Sequence, residues 1–129
     1  MRVLAWLLPI VGGFLLLSSL AHALLGWPPI RAELEQAGVD GNLIGAIAVG
    51  WYFGSVAMAA FGVIVLLSWR EMGHQTGMGR AAAATVSVTY LVFGVLALLL
   101  RSLNPHFIIA FVLPGLLLGA PVVLCAWRR

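Results

Sequence analysis

Apolar residues fill this chain in four long runs, which short polar segments separate. The runs cover about residues 3–25, 43–67, 81–100 and 107–127. Each has about 20 residues or more, and at about 1.5 Å per residue this is enough to cross a hydrocarbon layer of about 30 Å. Because backbone groups in lipid must bond to one another, we expect each run to be an α-helix. The pattern predicts an all-α fold, a polytopic membrane protein built as a bundle of four transmembrane helices.

The polar segment between the first two runs has a helical pattern of its own. It reads WPPIRAELEQAG, in which Pro29 suits the first turn of a helix and Gly38 its C-terminal stop. Its apolar residues recur at spacings of four and three, and its charged residues lie elsewhere. We expect a short amphipathic helix over about 29–37 that lies along the outer membrane surface. Asp40 or Asn42 can then cap the second transmembrane helix.

The end of the first run, SSLAHALLGWPP, has an alternative interpretation as the cleavage region of a secretory signal peptide. Ala21 and Ala23 flank His22 in the small-x-small pattern of such a site. A signal peptide has an apolar stretch of only about 7–15 residues, whereas this run continues unbroken from Val3 to Leu20. We therefore expect a permanent first helix, with His22 about one turn from its outer end.

Composition supports lipid as the main solvent. The chain of 129 residues is 63% hydrophobic and 9% charged, with a mean hydropathy of +1.10. A soluble domain of this size would need more polar surface, so we expect one integral-membrane domain over residues 1–129. All seven basic residues are arginines, and their scatter gives no support for nucleic-acid binding. Cys125, the single cysteine, cannot form an internal disulfide or hold a metal alone.

The arginines divide unequally between the two sides of the predicted bundle. Two, Arg31 and Arg101, belong to the outer side. The other five belong to the ends and the connection of the opposite side: Arg2, Arg70, Arg80, Arg128 and Arg129. Because basic residues favour the cytoplasmic side, we expect both termini in the cytoplasm and the bundle in the plasma (inner) membrane.

Small residues mark candidate packing faces. The second run contains a series at multiples of four and the fourth run contains a pair with the same spacing: Ala46, Gly50, Gly54, Gly62, Gly115 and Gly119. Such residues let helix backbones approach closely in a membrane. We expect these faces to pack within the bundle, against a second copy, or against a partner membrane protein. Pro114 and Pro121 are expected to bend the fourth helix.

Polar residues of the outer end are the candidate site, because ionisable groups near a membrane interior are costly to keep. The set comprises Ser18, His22, Glu33, Arg101, Asn104 and His106, with Tyr90 deeper in the third run. Two histidines and a carboxylate are zinc ligands, and two histidines can also ligate haem. Their spacing forms no local metal motif, so we expect no metal site and assign no cofactor.

Two functional hypotheses follow. In the first, the protein is non-catalytic: it binds membrane lipids or another hydrophobic ligand with a polar head, or it is an accessory or assembly subunit of a membrane partner. In the second, it is an outer-leaflet enzyme or small-molecule carrier that uses the histidine, glutamate and arginine cluster. The interfacial polar residues can also simply contact lipid headgroups and water. The central part of each run lacks charge, which disfavours an ion channel or proton pump.

Overall fold

A computed structural model describes residues 6–73 and 77–126, and within these ranges the chain forms helices and no strands. The helical elements, in chain order, are α1 (Leu7–Ala21), a first π segment (His22–Gly26), α2 (Trp27–Gln36), α3 (Gly41–Gly73), α4 (Gly77–Leu100), a second π segment (Ile108–Val112) and α5 (Leu113–Ala126). The expected first residue of the first run, residue 3, and the expected last residue of the fourth run, residue 127, lie outside the described residues. So do Arg2, Arg128, Arg129 and the side chain of Cys125.

Three of the described helical stretches are long and apolar enough to cross a membrane. They are Leu7–Gln36, Gly41–Glu71 and Gly77–Leu100, and a shorter apolar stretch, Ile108–Leu124, follows them. Lipid-facing character is consistent with the many large apolar side chains on the surface, since Leu17 and Phe53 are 70% and 73% exposed. The all-helical prediction is confirmed, and composition supports a membrane location.

The first helix and the amphipathic helix are continuous, which corrects the expectation of two separate helices. No described residue between Leu7 and Gln36 leaves a helical conformation, because the π segment joins α1 directly to α2. Pro28 and Pro29 lack the N–H groups that would bond to carbonyls in the preceding turn. The helix widens into a π turn just before these prolines instead of breaking.

A π segment also precedes a proline in the fourth run. The second π segment ends at Val112, two residues before Pro114, as the first ends at Gly26, two residues before Pro28. In the second segment the N–H of Leu113 donates to the carbonyl of Ile108, five residues back. The expected irregularity before Pro114 is therefore a π turn, whereas Pro121 is held inside α5.

The connection between α3 and α4 is shorter than the sequence pattern indicated. The second and third apolar runs leave residues 68–80 between them, and this polar, glycine-rich segment predicts a loop. Instead, α3 continues to Gly73 and α4 begins at Gly77. Polar residues are compatible with a helix that extends beyond the apolar layer, and Arg70 in the last turn of α3 complements the helix dipole.

The connection between α2 and α3 is tight, and we call the end of the bundle at which it lies, together with the turn after α4, the outer end. Gly38 adopts φ of 72° after α2, and the N–H of Val39 donates to the Leu34 carbonyl at 3.0 Å, which is a Schellman-type stop. The Asp40 carboxylate caps α3 by accepting from the N–H groups of Asn42 and Leu43 at 2.9 and 3.3 Å.

The helices of successive apolar runs pack side by side. Helix α1 packs against α3, α3 against α4, and α4 against α5 with its π segment. Contact between α1 and α5 closes the bundle, and the core lies where all four runs meet. It consists of Leu8, Val11, Leu15, Val65, Ala83, Val86, Tyr90 and Leu118. The second π segment packs mainly against α4, whereas the first packs against α3. The two π segments thus extend the packing of α1 with α3 and of α5 with α4.

Glycines set the closest approaches within each pair. A Cβ on Gly62 would lie 2.9 Å from Leu16 Cγ and 3.0 Å from the Gly12 carbonyl oxygen. A Cβ on Gly115 would lie 2.8 Å from Leu91 Cγ. These glycines therefore allow backbone contact that a larger residue would prevent.

The remaining predicted packing residues differ in their surroundings. A Cβ on Gly119 would lie 2.9 Å from Ser87 Oγ, and one on Gly54 would lie 3.7 Å from His22 Cε1. A Cβ on Gly50 would meet no atom within 4 Å, and Ala46 is exposed. The outer half of α3 therefore carries small residues on a face that the described chain leaves uncovered.

Candidate functional site

His22 lies at the start of the first π segment and is linked to α3 through its side chain. Its Nδ1 is 2.9 Å from Ser55 Oγ, and the imidazole is half-buried. Ser55 is itself buried, with 6% of its surface exposed. A polar ring in this apolar region therefore has a specific polar partner, as the cost of burying such a group requires.

Trp51 contacts the same histidine in two ways. The two rings stack with centroids 4.0 Å apart and planes 8° from parallel. The indole Nε1–H donates to the backbone carbonyl of His22 at 2.8 Å. Gly26 makes room for this arrangement, because a Cβ there would lie 2.8 Å from Trp51 Cζ2.

The hydrogen bonds of Ser55 favour one assignment of the two imidazole nitrogens, in which Nδ1 carries the proton. The Ser55 hydroxyl donates its one proton to the Trp51 carbonyl at 3.3 Å. Its oxygen then accepts from Nδ1–H of His22, so Nε2 of the neutral ring carries the lone pair. Nε2 meets no hydrogen-bond partner in the described part of the chain. The site thus presents one hydrogen-bond acceptor at the outer end of the α1 and α3 pair.

Two further aromatic rings extend the cluster toward α2. The Trp27 ring is 6.0 Å from the Trp51 ring and 6.3 Å from the Tyr52 ring, between centroids. Trp27 is buried, at 6% exposed, whereas Tyr52 is 46% exposed. The buried Trp27 ring therefore packs against one partly exposed aromatic side chain, Tyr52. We call His22, Trp27, Trp51, Tyr52 and Ser55 the outer cluster.

Other residues of the predicted site make no direct contact with the His22 side chain. Glu33 is exposed on α2, and Arg101 and His106 are exposed in the turn between α4 and the second π segment. No hydrogen bond, ion pair or ring contact joins His22 to any of these three among the described residues. Ser18 is half-buried one turn before His22, and its carbonyl accepts from the His22 backbone N–H.

Asn104 has a local role in the turn. Its side-chain Oδ1 accepts from the His106 backbone N–H at 3.0 Å, and its carbonyl accepts from the Phe107 N–H at 3.2 Å. The preceding Ser102 and Leu103 have φ of 53° and 60°. Asn104 therefore stabilises a tight reversal of the chain rather than contacting the outer cluster.

Tyr90 lies in the middle of the bundle. It is 3% exposed, and its ring contacts those of Phe61 and Phe111 at centroid distances of 6.0 and 5.8 Å. Its hydroxyl is buried and has no hydrogen-bond partner in the described chain. Tyr90 is thus part of the apolar core, and its hydroxyl group is left without a hydrogen-bond partner there.

Metal binding by this chain has no geometric support within residues 6–73 and 77–126, where no three His, Cys, Asp or Glu side chains are grouped to hold an ion. An open depression of about 490 Å³ lies at the opposite end of the bundle from His22. It is lined by Ile64, Leu67, Ser68, Arg70, Glu71, Met78, Gly79 and Ala82 and includes none of the predicted site residues.

Sequence reasoning missed Trp51 and Ser55 as partners of His22. The sequence does contain a signal for these partners. Trp51 and Ser55 are one turn apart on α3, and they follow the connection between α2 and α3 by about as many residues as His22 precedes it.

The chain matches no family model, no curated protein and no solved structure.

Proposed function

We propose that this chain is an integral membrane protein that crosses the bilayer four times and binds a lipid-like ligand at its outer end without catalysing a reaction. The three long apolar stretches and the shorter fourth support the four crossings. Exposed leucines such as Leu24 and Leu25, at 68% and 73%, support contact with lipid at the outer end. In a bilayer such side chains are covered by acyl chains.

Charge supports the orientation. Arg70 and Arg80 flank the connection between α3 and α4, whereas the outer connection carries Arg31 against three carboxylates. Basic residues close to the membrane favour the cytoplasmic side. We propose that both termini lie in the cytoplasm and that the outer cluster faces the opposite side of the plasma membrane.

His22 carries the ligand proposal. Its Nδ1 is bound to Ser55, its ring is stacked on Trp51, and its Nε2 is left as a positioned acceptor beside an apolar surface. An oriented polar atom among apolar and aromatic side chains is the usual composition of a site for a hydrophobic molecule with a polar head. The buried core of the bundle contains no residue of the outer cluster, which supports access of acyl chains to this region.

Lipid retention in nanodiscs tests the proposal. Native mass spectrometry of the wild type should show a retained lipid, and His22→Ala should lose it. His106→Ala is the matched control, because His106 is an exposed histidine of the same end that has no contact with the outer cluster. Circular dichroism must show that both variants fold. Equal retention by wild type and His22→Ala would refute the proposal.

An accessory-subunit function is the second candidate, and the open face of α3 favours it. Gly50 has space around it, and Val49 and Phe53 beside it are 72% and 73% exposed. A partner helix can approach closely at such a face. If one does, Gly50→Leu should abolish co-purification of that partner. Gly13→Leu, at another open glycine, should leave it unchanged.

A further inference from the structure

The charged side chains around the outer cluster differ in whether they have a partner. Arg31 is paired with Glu35 through a hydrogen bond of 2.8 Å from Nε to Oε1. The carboxylate of Asp40 is used to cap α3. Glu33 has no ion pair in the described part of the chain. The charge left over at this surface is therefore negative, and it comes from Glu33 together with Asp40, which keeps its charge while it caps α3.

The same surface presents an aromatic face. Tyr52 is 46% exposed and is supported from below by Trp27. Aromatic faces attract ammonium groups through their quadrupole, and they do so more strongly when the cation is partly desolvated. Arg31 belongs to the same surface, but Glu35 compensates its charge.

Nε2 of His22 is a third feature of this surface that favours a cationic hydrogen-bond donor. Because Nδ1–H is donated to Ser55, the open nitrogen accepts a hydrogen bond and cannot donate one. A phosphate or carboxylate oxygen finds no donor there, whereas an N–H group finds an acceptor. The acceptor, the aromatic face and the unpaired carboxylate are all complementary to a positively charged group that carries N–H donors.

We infer that the lipid bound at the outer cluster has a primary ammonium headgroup, as phosphatidylethanolamine does. This inference rests on the proposed function and specifies its ligand. A trimethylammonium headgroup keeps the attraction to Tyr52 and Glu33 but cannot donate to Nε2. An anionic headgroup meets Glu33 and finds Arg31 already paired. The expected order of retention is ethanolamine, then choline, then glycerol phospholipid.

Competition among three lipids with identical acyl chains tests this order. The wild-type protein is placed in nanodiscs with equal amounts of phosphatidylethanolamine, phosphatidylcholine and phosphatidylglycerol, and retained lipids are counted by native mass spectrometry. We expect each of the two ammonium lipids to exceed phosphatidylglycerol by at least about 2- to 5-fold, the size of an exposed cation–π contact. Phosphatidylethanolamine should be the most abundant of the three.

Four substitutions separate the contributions of the aromatic ring and of the charges. Tyr52→Ala should lower the ratio of ammonium lipids to phosphatidylglycerol, and Tyr52→Phe should keep it, because the ring face remains. Glu35→Gln leaves Arg31 unpaired and should move the ratio toward phosphatidylglycerol. Glu71→Gln removes a carboxylate at the inner end of α3 and should leave the ratio unchanged.

The outcomes distinguish the two proposals. Retention of no lipid by the wild type overturns the proposed function and this inference together. Retention that depends on His22 but favours phosphatidylglycerol, or does not discriminate, overturns the headgroup assignment alone. Exposed Glu35 and Tyr52 allow substitution without loss of the fold, so a changed ratio reports on the site.

Discussion

The backbone carbonyl of His22 accepts a hydrogen bond from the indole of Trp51 at 2.8 Å, and the two rings stack 4.0 Å apart. One side chain of α3 therefore contacts both the backbone and the side chain of the first π segment. This segment precedes two prolines that cannot donate hydrogen bonds to it. The contact from α3 holds the helix at the point where its own hydrogen bonding is weakest.

Trp51→Phe separates the hydrogen bond from the stack. Phenylalanine keeps an aromatic face against His22 but has no N–H, so we predict a loss of about 0.5–1.5 kcal/mol in the free energy of unfolding, the range of interhelical hydrogen bonds in membranes. SDS titration of the protein in detergent micelles measures it. Trp51→Ala should cost more, because it also removes the ring. An unchanged unfolding free energy in Trp51→Phe would show that the indole N–H contributes nothing.

Gly62→Ala tests the close approach of α1 and α3. The added methyl would meet both Leu16 and the Gly12 carbonyl oxygen at 3.0 Å or less, and the carbonyl cannot move without the helix. We predict a destabilisation of about 1–3 kcal/mol, typical of overpacking. Gly50→Ala is the matched control on the same helix, where nothing lies within 4 Å. Equal stabilities of the two variants would contradict the packing described for α1 and α3.

Ser87 and Gly119 should be energetically coupled. Ser87 Oγ donates to the Gly115 carbonyl at 2.7 Å and lies 2.9 Å from the position of a Cβ on residue 119. Gly119→Ala is expected to destabilise the protein because the hydroxyl occupies the space of the new methyl. Ser87→Ala removes that hydroxyl, so the double variant should lose less than the two single variants together.

A double-mutant cycle measures this coupling from the four unfolding free energies. The expected interaction energy is about 0.5–3 kcal/mol, the range for residues in contact. Strict additivity would mean that α4 and α5 do not meet at this pair of residues.

The positions of the four helices follow from the apolar runs because lipid leaves the backbone no other way to satisfy its polar groups. Their polar ends were predicted less well. Residues 68–73 were expected in a loop but extend α3, since arginine and glutamate are as compatible with a helix as leucine is. The π segment at His22 was also missed, because Pro28 and Pro29 indicate an interruption but not its geometry.

The partners of His22 could not be read from periodicity. The middle of α3 is mostly apolar, so hydrophobic periodicity does not show which of its residues meet His22. Grouping His22 with Arg101 and His106 relied on their common depth, which does not determine lateral position. Antiparallel register was the better guide, because residues at similar distances from a connection meet. His22 with Trp51 and Leu91 with Gly115 both follow this rule.

Tyr90→Phe tests the unsatisfied hydroxyl in the core. This hydroxyl is buried without a partner in the described chain, and such a group costs about 1–3 kcal/mol. Phenylalanine keeps the ring contacts with Phe61 and Phe111 and removes the polar atom, so we predict a gain of this size in the free energy of unfolding. Tyr90→Leu serves as the control, since it removes the ring contacts as well and should be less stable than Tyr90→Phe.

Tyr90→Phe also tests whether the core and the ligand site are independent of each other. Tyr90 is not part of the outer cluster, so Tyr90→Phe should retain lipid as the wild type does in native mass spectrometry. Reduced stability of Tyr90→Phe would mean that the hydroxyl has a partner in the folded protein. Reduced stability together with lost lipid would identify that partner as the ligand, and the binding site would then have to extend from His22 into the centre of the bundle.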